Sequence, residues 1–268
     1  MNSSSHSCKG EHVQSCYAVI KPLAVTLALA LALLAGIVSY ANYQAMGVPV
    51  LAGNSQAVAK EGSPGSYIRV AQYDGTASVC SLGVPWTSAK GDVGWLTAAH
   101  CFSKLGQTVF GSLGPIGTGE VSGTLVDASF VKAKDSKLVR PELVINGVTT
   151  PIVDVAPARV GDSLCVIGTT SGLTCGWEVI SEKDTVEVEN DRNVIGAVAL
   201  GRGSECASKG DSGGLVFTLD DDKVTAVGTV VAVRNTPELT SLIPATCTVV
   251  LATAEQSSAV LGGSAFLD

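Results

Sequence analysis

One serine stands between glycines in the sequence GDSGG, which spans Gly210–Gly214. Acyl transfer to a serine needs an exposed hydroxyl on a tight turn and backbone N–H groups directed at the oxyanion that forms. Gly210 has no Cβ, so its backbone can closely approach a bound carbonyl. The segment therefore predicts Ser212 as a nucleophile, with the amides of Gly210 and Ser212 as oxyanion donors. An ordinary glycine-rich turn between two strands is the alternative interpretation.

A general base for such a serine is present in the segment TAAHC, which ends at His100 and Cys101. The chain has three histidines, and the other two, His6 and His12, precede a long apolar run. His100 is thus the one imidazole in the region that also contains Ser212. A serine hydroxyl is a weak nucleophile without a neighbouring base, and histidine titrates near neutral pH. We therefore predict that His100 takes the proton of Ser212.

A third residue must orient the imidazole and stabilise its cation. Asp127 lies between His100 and Ser212 in the chain, and the apolar residues that follow it favour a buried position. We therefore select Asp127 for this role. Most of the competing aspartates lie in polar or turn-like contexts that indicate solvated side chains: Asp135, Asp154, Asp162, Asp184 and Asp191.

The chain order His, Asp, Ser, together with TAAHC and GDSGG, resembles the chymotrypsin-like serine proteases. Further motifs are similar to the bacterial branch of streptogrisins and alpha-lytic protease, namely CSLG at 80–83, GDSLC at 161–165 and GTTSG at 168–172. The resemblance covers residues 66–268 in order. It implies two six-stranded antiparallel β-barrels with the active site between them, and hydrolysis of polypeptide substrates.

Six cysteines follow the apolar run, an even number that fits an oxidising compartment. Counting alone allows fifteen pairings. The resemblance implies the disulfides Cys80–Cys101, Cys165–Cys175 and Cys206–Cys247. A bond between the first two would fix the segment that carries His100.

The chain departs from its bacterial relatives around the primary specificity pocket. Alignment on Gly228 places Val231, Ala232 and Val233 where the streptogrisins carry Ser-Gly-Gly. The family serine that hydrogen-bonds the catalytic aspartate is therefore Val231, which cannot donate. Val233 at the pocket wall, with Ala207 at a base that has no acidic residue, predicts a shallow pocket for small apolar side chains.

Asp211, beside the predicted nucleophile, usually has a cationic partner in the family. Where alpha-lytic protease has an arginine, this chain has Val166. The sequence therefore leaves the partner of Asp211 unidentified.

Short β-rich runs between turn residues predict the elements that position these groups. They recur at 79–82, 94–97, 108–110, 129–131, 163–167, 177–180, 185–188, 194–200, 215–218 and 224–233. Glycine, proline, aspartate and asparagine separate them, which favours an all-β barrel or sandwich. The run Ala254–Leu261, closed by Gly262, is predicted to be helical. The fold class is therefore all-β with a C-terminal helix, preceded by an N-terminal apolar helix.

The N-terminal part of the chain predicts export, because Leu23–Val38 is uncharged and apolar and lysines precede it. We predict a cytoplasmic polar tail at 1–21, a signal peptide or signal anchor at 22–41, a linker at 42–65 and the protease domain at 66–268. That domain would be extracellular, either secreted or held at the membrane by the apolar segment if it is not cleaved. A buried core helix is the alternative interpretation of this segment.

Charge and composition restrict the classes of function that the chain could have. The net charge of −7 gives no basic footprint for nucleic acid. No cysteine pair has C-x-x-C spacing, and the predicted chemistry needs neither a metal nor an organic cofactor. We predict a monomeric serine endopeptidase. Two alternatives remain open: a catalytically silent binding module on the same fold, motivated by the changes at Val231 and Val233, and an esterase or other acyl hydrolase with the same triad.

Overall fold

The computed structural model describes residues 59–188, 192–202, 206–220, 223–236 and 246–267. The tail predicted at 1–21, the apolar segment at 22–41 and most of the linker lie outside these residues. In the described part of the chain, no helix is both long enough and apolar enough to cross a bilayer.

Residues 67–133 form a first β-barrel. Its strands are β1 (Tyr67–Ala71), β2 (Ala77–Ser81), β3 (Pro85–Thr87), β4 (Val93–Ala98), β5 (Thr108–Gly111), β6 (Gly114–Gly123) and β7 (Ala128–Ala133). β2 and β3 are two halves of one bent strand, because Leu82 N–H donates to the Ser66 carbonyl beside β1 and Gly83 N–H donates to the Leu96 carbonyl of β4. Counted in this way, six antiparallel strands close in the order β2/β3–β4–β7–β6–β5–β1.

A second barrel follows the first along the chain. Its strands are β8 (Glu142–Ile145), β9 (Val148–Val155), β10 (Ser163–Gly168), β11 (Gly172–Val188), β12 (Arg192–Arg202), β13 (Leu215–Asp220), β14 (Lys223–Thr236) and β15 (Thr246–Thr253). β13 pairs with both β10 and β14, so the order β13–β10–β11–β12–β15–β14 also closes with six antiparallel strands. β9 adds to β14 in parallel, and β8 pairs with β9. The predicted architecture of two six-stranded antiparallel barrels is confirmed.

A tryptophan lies in the core of each barrel. Trp95 in β4 is fully buried, and its Nε1 donates to the Gly62 carbonyl at 2.8 Å. Trp177 in β11 is 1% exposed, and its Nε1 donates to Thr174 Oγ1 at 3.0 Å. Each ring therefore buries a large apolar area while its polar N–H keeps a hydrogen-bond partner.

The packed region extends beyond the boundary expected at residue 66. Residues 62–65 are buried. Gly62 has a φ of 85°, and a Cβ at this position would collide with the Leu138 carbonyl. Both the dihedral and the lack of space require glycine here. The chain from Gly62 onward therefore packs with the first barrel.

The predicted C-terminal helix is present as α1 (Ala254–Leu261). It begins with a capping box, in which Thr253 Oγ1 accepts from Gln256 N–H and the Gln256 side chain accepts from Thr253 N–H. Gly262, with a φ of 71°, ends the helix. The chain then forms β16 (Ser264–Ala265), which pairs with β3. This last segment therefore leaves the second barrel and attaches to the first.

Candidate active site

A cleft of about 790 Å³ lies where the two barrels meet. The first barrel contributes β2 and His100 to its wall, and the second contributes β11, β12, β14 and β15. The predicted catalytic, oxyanion and pocket residues that border it are His100, Ala207, Gly210, Ser212, Val231 and Val233. Asp127 is fully buried and bonded to His100. The structure thus gathers at one cleft residues that are more than a hundred positions apart in the chain.

His100 is held by Asp127 through two separate hydrogen bonds. Asp127 Oδ1 accepts the backbone N–H of His100 at 2.8 Å, and Oδ2 lies 2.8 Å from His100 Nδ1. A carboxylate only accepts, so Nδ1 carries the proton in this contact. Nε2 is then the ring nitrogen that can take a proton. The residue belongs to a short 3₁₀-helix, Ala99–Cys101, that directly follows β4.

Asp127 has an unusual backbone as well as a buried side chain. Its φ is 53°, in the left-handed region, where aspartate is one of the few non-glycine residues tolerated. Its carbonyl accepts from Ala99 N–H at 2.9 Å, which ties it to the segment carrying His100. Its neighbours Val126 and Ala128 are buried in one apolar cluster with Val231. Val231, which has no group that can donate a hydrogen bond, therefore packs beside the aspartate segment.

Arg192, which the sequence analysis missed, contacts the same carboxylate. Its Nη1 and Nη2 lie 3.4 Å and 3.5 Å from Asp127 Oδ2. The side chain is 38% exposed and borders the cleft. The sequence indicated only that Val231 cannot donate a hydrogen bond to Asp127. It did not indicate which strand supplies another donor.

The loop that carries Ser212 is fastened to both barrels. The Ser212 carbonyl accepts from Ser81 N–H at 2.8 Å, and Gly213 N–H donates to the Val230 carbonyl at 2.7 Å. Among the described residues, no hydrogen bond joins the Ser212 hydroxyl to the His100 ring, although both border the cleft. Such contacts are often long in the absence of substrate and tighten when it binds.

The N–H groups of Gly210 and Ser212 have no protein acceptor within the part of the chain that the structure describes. Both residues border the cleft, so these donors are available to an anion there. The φ of Gly210 is 101°, and a Cβ would collide with Thr170 Oγ1. Thr170 Oγ1 donates to the Lys209 carbonyl at 2.8 Å. Because C=O and N–H are antiparallel across a trans peptide, this bond also fixes the direction of the Gly210 N–H.

The partner of Asp211, which the sequence left unidentified, is a set of backbone amides. Its carboxylate is fully buried. Oδ1 accepts from the N–H groups of Thr170 and Ser171 at 2.8 Å and 3.0 Å, and Oδ2 accepts from Ser208 N–H at 2.7 Å. Among the described residues, no cationic side chain forms an ion pair with it. Hydrogen bonds to an ionised acceptor are strong, so they hold the turn before Ser212.

The structure joins the three implied cysteine pairs: Cys80–Cys101, Cys165–Cys175 and Cys206–Cys247. The first places a covalent link beside His100. Cys80, His100 and Cys101 also form a cluster of potential metal ligands. Because both sulfurs belong to the disulfide, neither is available to a metal as a thiolate.

The residues expected at the specificity pocket lie along one part of the cleft. Ala207 and Val231 are buried, and Val233 is partly buried against the core of the second barrel. Glu187 and Arg234 border the same region, and Arg234 Nη2 donates to the Glu187 carbonyl at 3.5 Å. The part of β14 that borders the cleft therefore carries a side chain at every position and has no glycine.

No protein-family profile and no curated protein sequence matches the chain. Several solved structures have the same fold. Thermobifida fusca Protease A is 24% identical over 74% of this chain and 95% of its own, with a TM-score of 0.56. A chymotrypsin from Cellulomonas bogoriensis is 20% identical over 77% of this chain and 99% of its own, with a TM-score of 0.57. A Nocardiopsis protease is 22% identical over 72% and 93%, with a TM-score of 0.54.

These neighbours are bacterial proteases, as the motifs predicted. Identities below 25% establish a shared fold, and function must be argued from the site. The chain therefore has the chymotrypsin-like fold, and the expected resemblance to the bacterial branch is confirmed at that level.

Proposed function

We propose that the protein is a serine endopeptidase that hydrolyses peptide bonds through an acyl-enzyme on Ser212. One arrangement carries this proposal. An imidazole bonded through Nδ1 to a buried carboxylate shares a cleft with a serine whose loop presents two amides that have no acceptor among the described residues. The imidazole and carboxylate would supply a general base, and the serine loop would supply a nucleophile with oxyanion donors.

In the proposed reaction, Ser212 Oγ attacks the scissile carbonyl carbon while His100 Nε2 takes the hydroxyl proton. The tetrahedral oxyanion accepts hydrogen bonds from the N–H groups of Gly210 and Ser212. When the C–N bond breaks, His100 returns the proton to the leaving amine, and the acyl ester remains on Ser212. Water then attacks this ester with His100 again as the base, which releases the acid and restores the hydroxyl. Asp127 keeps Nδ1 protonated and stabilises the imidazolium.

We further propose a preference for small apolar residues on the acyl side of the scissile bond. Ala207, Val231 and Val233 supply the uncharged lining that supports it. Branched side chains at the two valine positions leave less depth than glycine would. A pocket of this kind discriminates against large side chains mainly by steric exclusion.

The three disulfides fit an extracellular, oxidising environment. We propose that the protein acts outside the cell as a monomer on polypeptide substrates. Whether it is released or tethered depends on the apolar segment at 22–41.

Labelling of the full-length chain with a fluorophosphonate probe tests the proposal. We expect the wild type to be labelled without prior proteolysis, and Ser212→Ala and His100→Ala to remain unlabelled. Ser122→Ala is the matched control, because Ser122 lies on β6 away from the cleft; its labelling should equal that of the wild type. A folded wild type that is not labelled would contradict the proposal and favour the silent binding module. Faster turnover of short-chain esters than of any member of a peptide library would instead favour the esterase.

A further inference from the structure

We propose that Arg192 is a positioning residue for the catalytic aspartate, in the place of the hydroxyl donor that this chain lacks at Val231. The β11–β12 hairpin would then take part in orienting His100. This inference rests on the proposed function, since it assigns Arg192 a role in the triad.

Without Arg192, the Asp127 carboxylate would accept hydrogen bonds only from His100, the residue that it positions. The group is fully buried, and a buried anion needs several donors to offset the loss of hydration. Oδ1 accepts a hydrogen bond from the backbone N–H of His100, and Oδ2 accepts one from the Nδ1–H of the same residue, so both donors belong to the residue being positioned. Among the described residues, Arg192 is the one further donor to this carboxylate.

The surroundings of Asp127 explain why the additional donor comes from the hairpin. Val126, Ala128 and Val231 form an apolar cluster beside the aspartate, so the β14 side offers no polar side chain at this point. Val194, two residues after Arg192, is buried in the same cluster. Ile195 N–H also donates to the Leu125 carbonyl at 2.9 Å. These contacts fasten the start of β12 to the aspartate segment and thereby place the guanidinium.

The chemistry of arginine suits this role. A guanidinium remains charged at every working pH, and its planar fork can present two N–H groups to one carboxylate. Here two nitrogens approach the same oxygen, at 3.4 Å and 3.5 Å. These lengths and the partial exposure of the side chain make the pair weaker than a buried bidentate ion pair. We therefore assign to Arg192 the orientation and charge balance of Asp127 rather than a large share of folding stability.

The contact has a consequence for pH dependence. Removal of the positive charge beside Asp127 lets the carboxylate stabilise the imidazolium of His100 more strongly. The histidine would then keep its proton to a higher pH, and the acid limb of the kcat/KM profile would move upward. The other charged groups bordering the cleft are Glu187 on β11, Lys209 in the loop before Ser212 and Arg234 on β14. None of them has a hydrogen bond or ion pair to Asp127 among the described residues.

The test compares Arg192→Met with Arg192→Lys, and adds Val231→Ser to Arg192→Met, all in the full-length chain. For Arg192→Met we expect kcat/KM on the plateau to fall roughly tenfold and the acid limb to rise by about half a pH unit to one unit. Arg192→Lys should lie between this variant and the wild type. The added serine should recover most of the plateau, because it restores a hydroxyl where the resembled family has its donor. A wild-type plateau and acid limb in Arg192→Met would overturn the proposal.

Arg234→Met is the charge-matched comparison, since it removes one arginine from the cleft but not the partner of Asp127. If the acid limb rose equally in this variant, the shift would come from the loss of any positive charge in the cleft and not from the contact with Asp127. That result would also overturn the proposal. The titration of the His100 ring followed by NMR, assigned with His100→Ala, reads the same contact without turnover. A wild type that hydrolyses no peptide would therefore refute the proposed function. The shift of the ring titration in Arg192→Met would still decide the role of Arg192.

Discussion

The hydroxyl of Thr170 offers a sensitive test of how the proposed oxyanion donors are held. Thr170 Oγ1 donates to the Lys209 carbonyl at 2.8 Å and thereby fixes the peptide whose N–H belongs to Gly210. Thr170→Val keeps the branched shape and removes this one bond. The Lys209–Gly210 peptide then loses one of its constraints, and its N–H can turn away from the cleft more readily. The predicted result is a slower chemical step with little change in substrate binding.

The size of the effect follows from the single bond removed. One neutral hydrogen bond at a partly exposed site contributes about 0.5–1.5 kcal/mol. If this energy alone biases the peptide toward the productive orientation, kcat should fall roughly two- to twelvefold. The complete loss of an oxyanion donor costs about 10²–10³-fold, which sets the upper bound.

The assay is the rate of fluorophosphonate labelling together with kcat and KM on a short peptide substrate. Thr170→Ser is the matched control, because it loses a methyl group but keeps the hydroxyl that bonds Lys209. We expect Thr170→Ser to remain within about twofold of the wild type, since it keeps the donor. The reasoning is refuted if Thr170→Val retains the wild-type kcat, or if Thr170→Ser loses as much as the valine variant.

Three further predictions concern the same cleft. Gly210→Ala should lower kcat by roughly 10²–10³-fold, because its Cβ collides with Thr170 and displaces one oxyanion donor; steady-state kinetics measure this. Replacement of Cys80 and Cys101 by alanine should lower the free energy of unfolding by about 3 kcal/mol, as expected for a loop of 21 residues, and urea denaturation measures it. Val233→Gly should raise kcat/KM for substrates with a large apolar residue before the scissile bond by roughly tenfold or more, read from a peptide library.

Each of these predictions has an outcome that contradicts it. Gly91→Ala is the control for Gly210, since Gly91 has a φ of 82° with no neighbour in the way; an equal kcat loss there would remove the oxyanion argument. Unchanged stability of the double cysteine variant would mean that the disulfide does not constrain the unfolded chain. An unchanged peptide profile in Val233→Gly would show that this side chain does not form the pocket wall.

Much of the fold could be predicted from local patterns. Ala254–Leu261 was predicted as a helix from its composition and the glycine that closes it, and the structure agrees. The strand β6 was missed, because its sequence GPIGTGEVSG resembles a loop. Its Gly117 lies where a Cβ would collide with the Lys132 carbonyl of β7. Such a glycine reflects close packing between strands, which no single stretch of sequence reveals.

In the candidate site as well, short motifs predicted some residues, and only the folded chain identifies the others. His100 and Ser212 stand in short motifs whose chemistry can be inferred from neighbouring residues, and the structure brings both to one cleft. Arg192 reaches Asp127 across 65 positions of sequence, and only the folded hairpin brings them together. The donors to Asp211 are backbone amides, which any residue except proline provides and which therefore leave no mark in the sequence.

The order of the strands along the chain determines when the cleft can be completed during synthesis. A ribosome makes the chain from its N-terminus, so the first barrel can form while the second is still being translated. Ser212 emerges before β14 and β15, the strands that close the second barrel. The segment Ser264–Ala265, which attaches to the first barrel, emerges later still. Because β14 and β15 line the cleft, it can be complete only after both strands have been synthesised, so Ser212 is made before the strands that complete its surroundings.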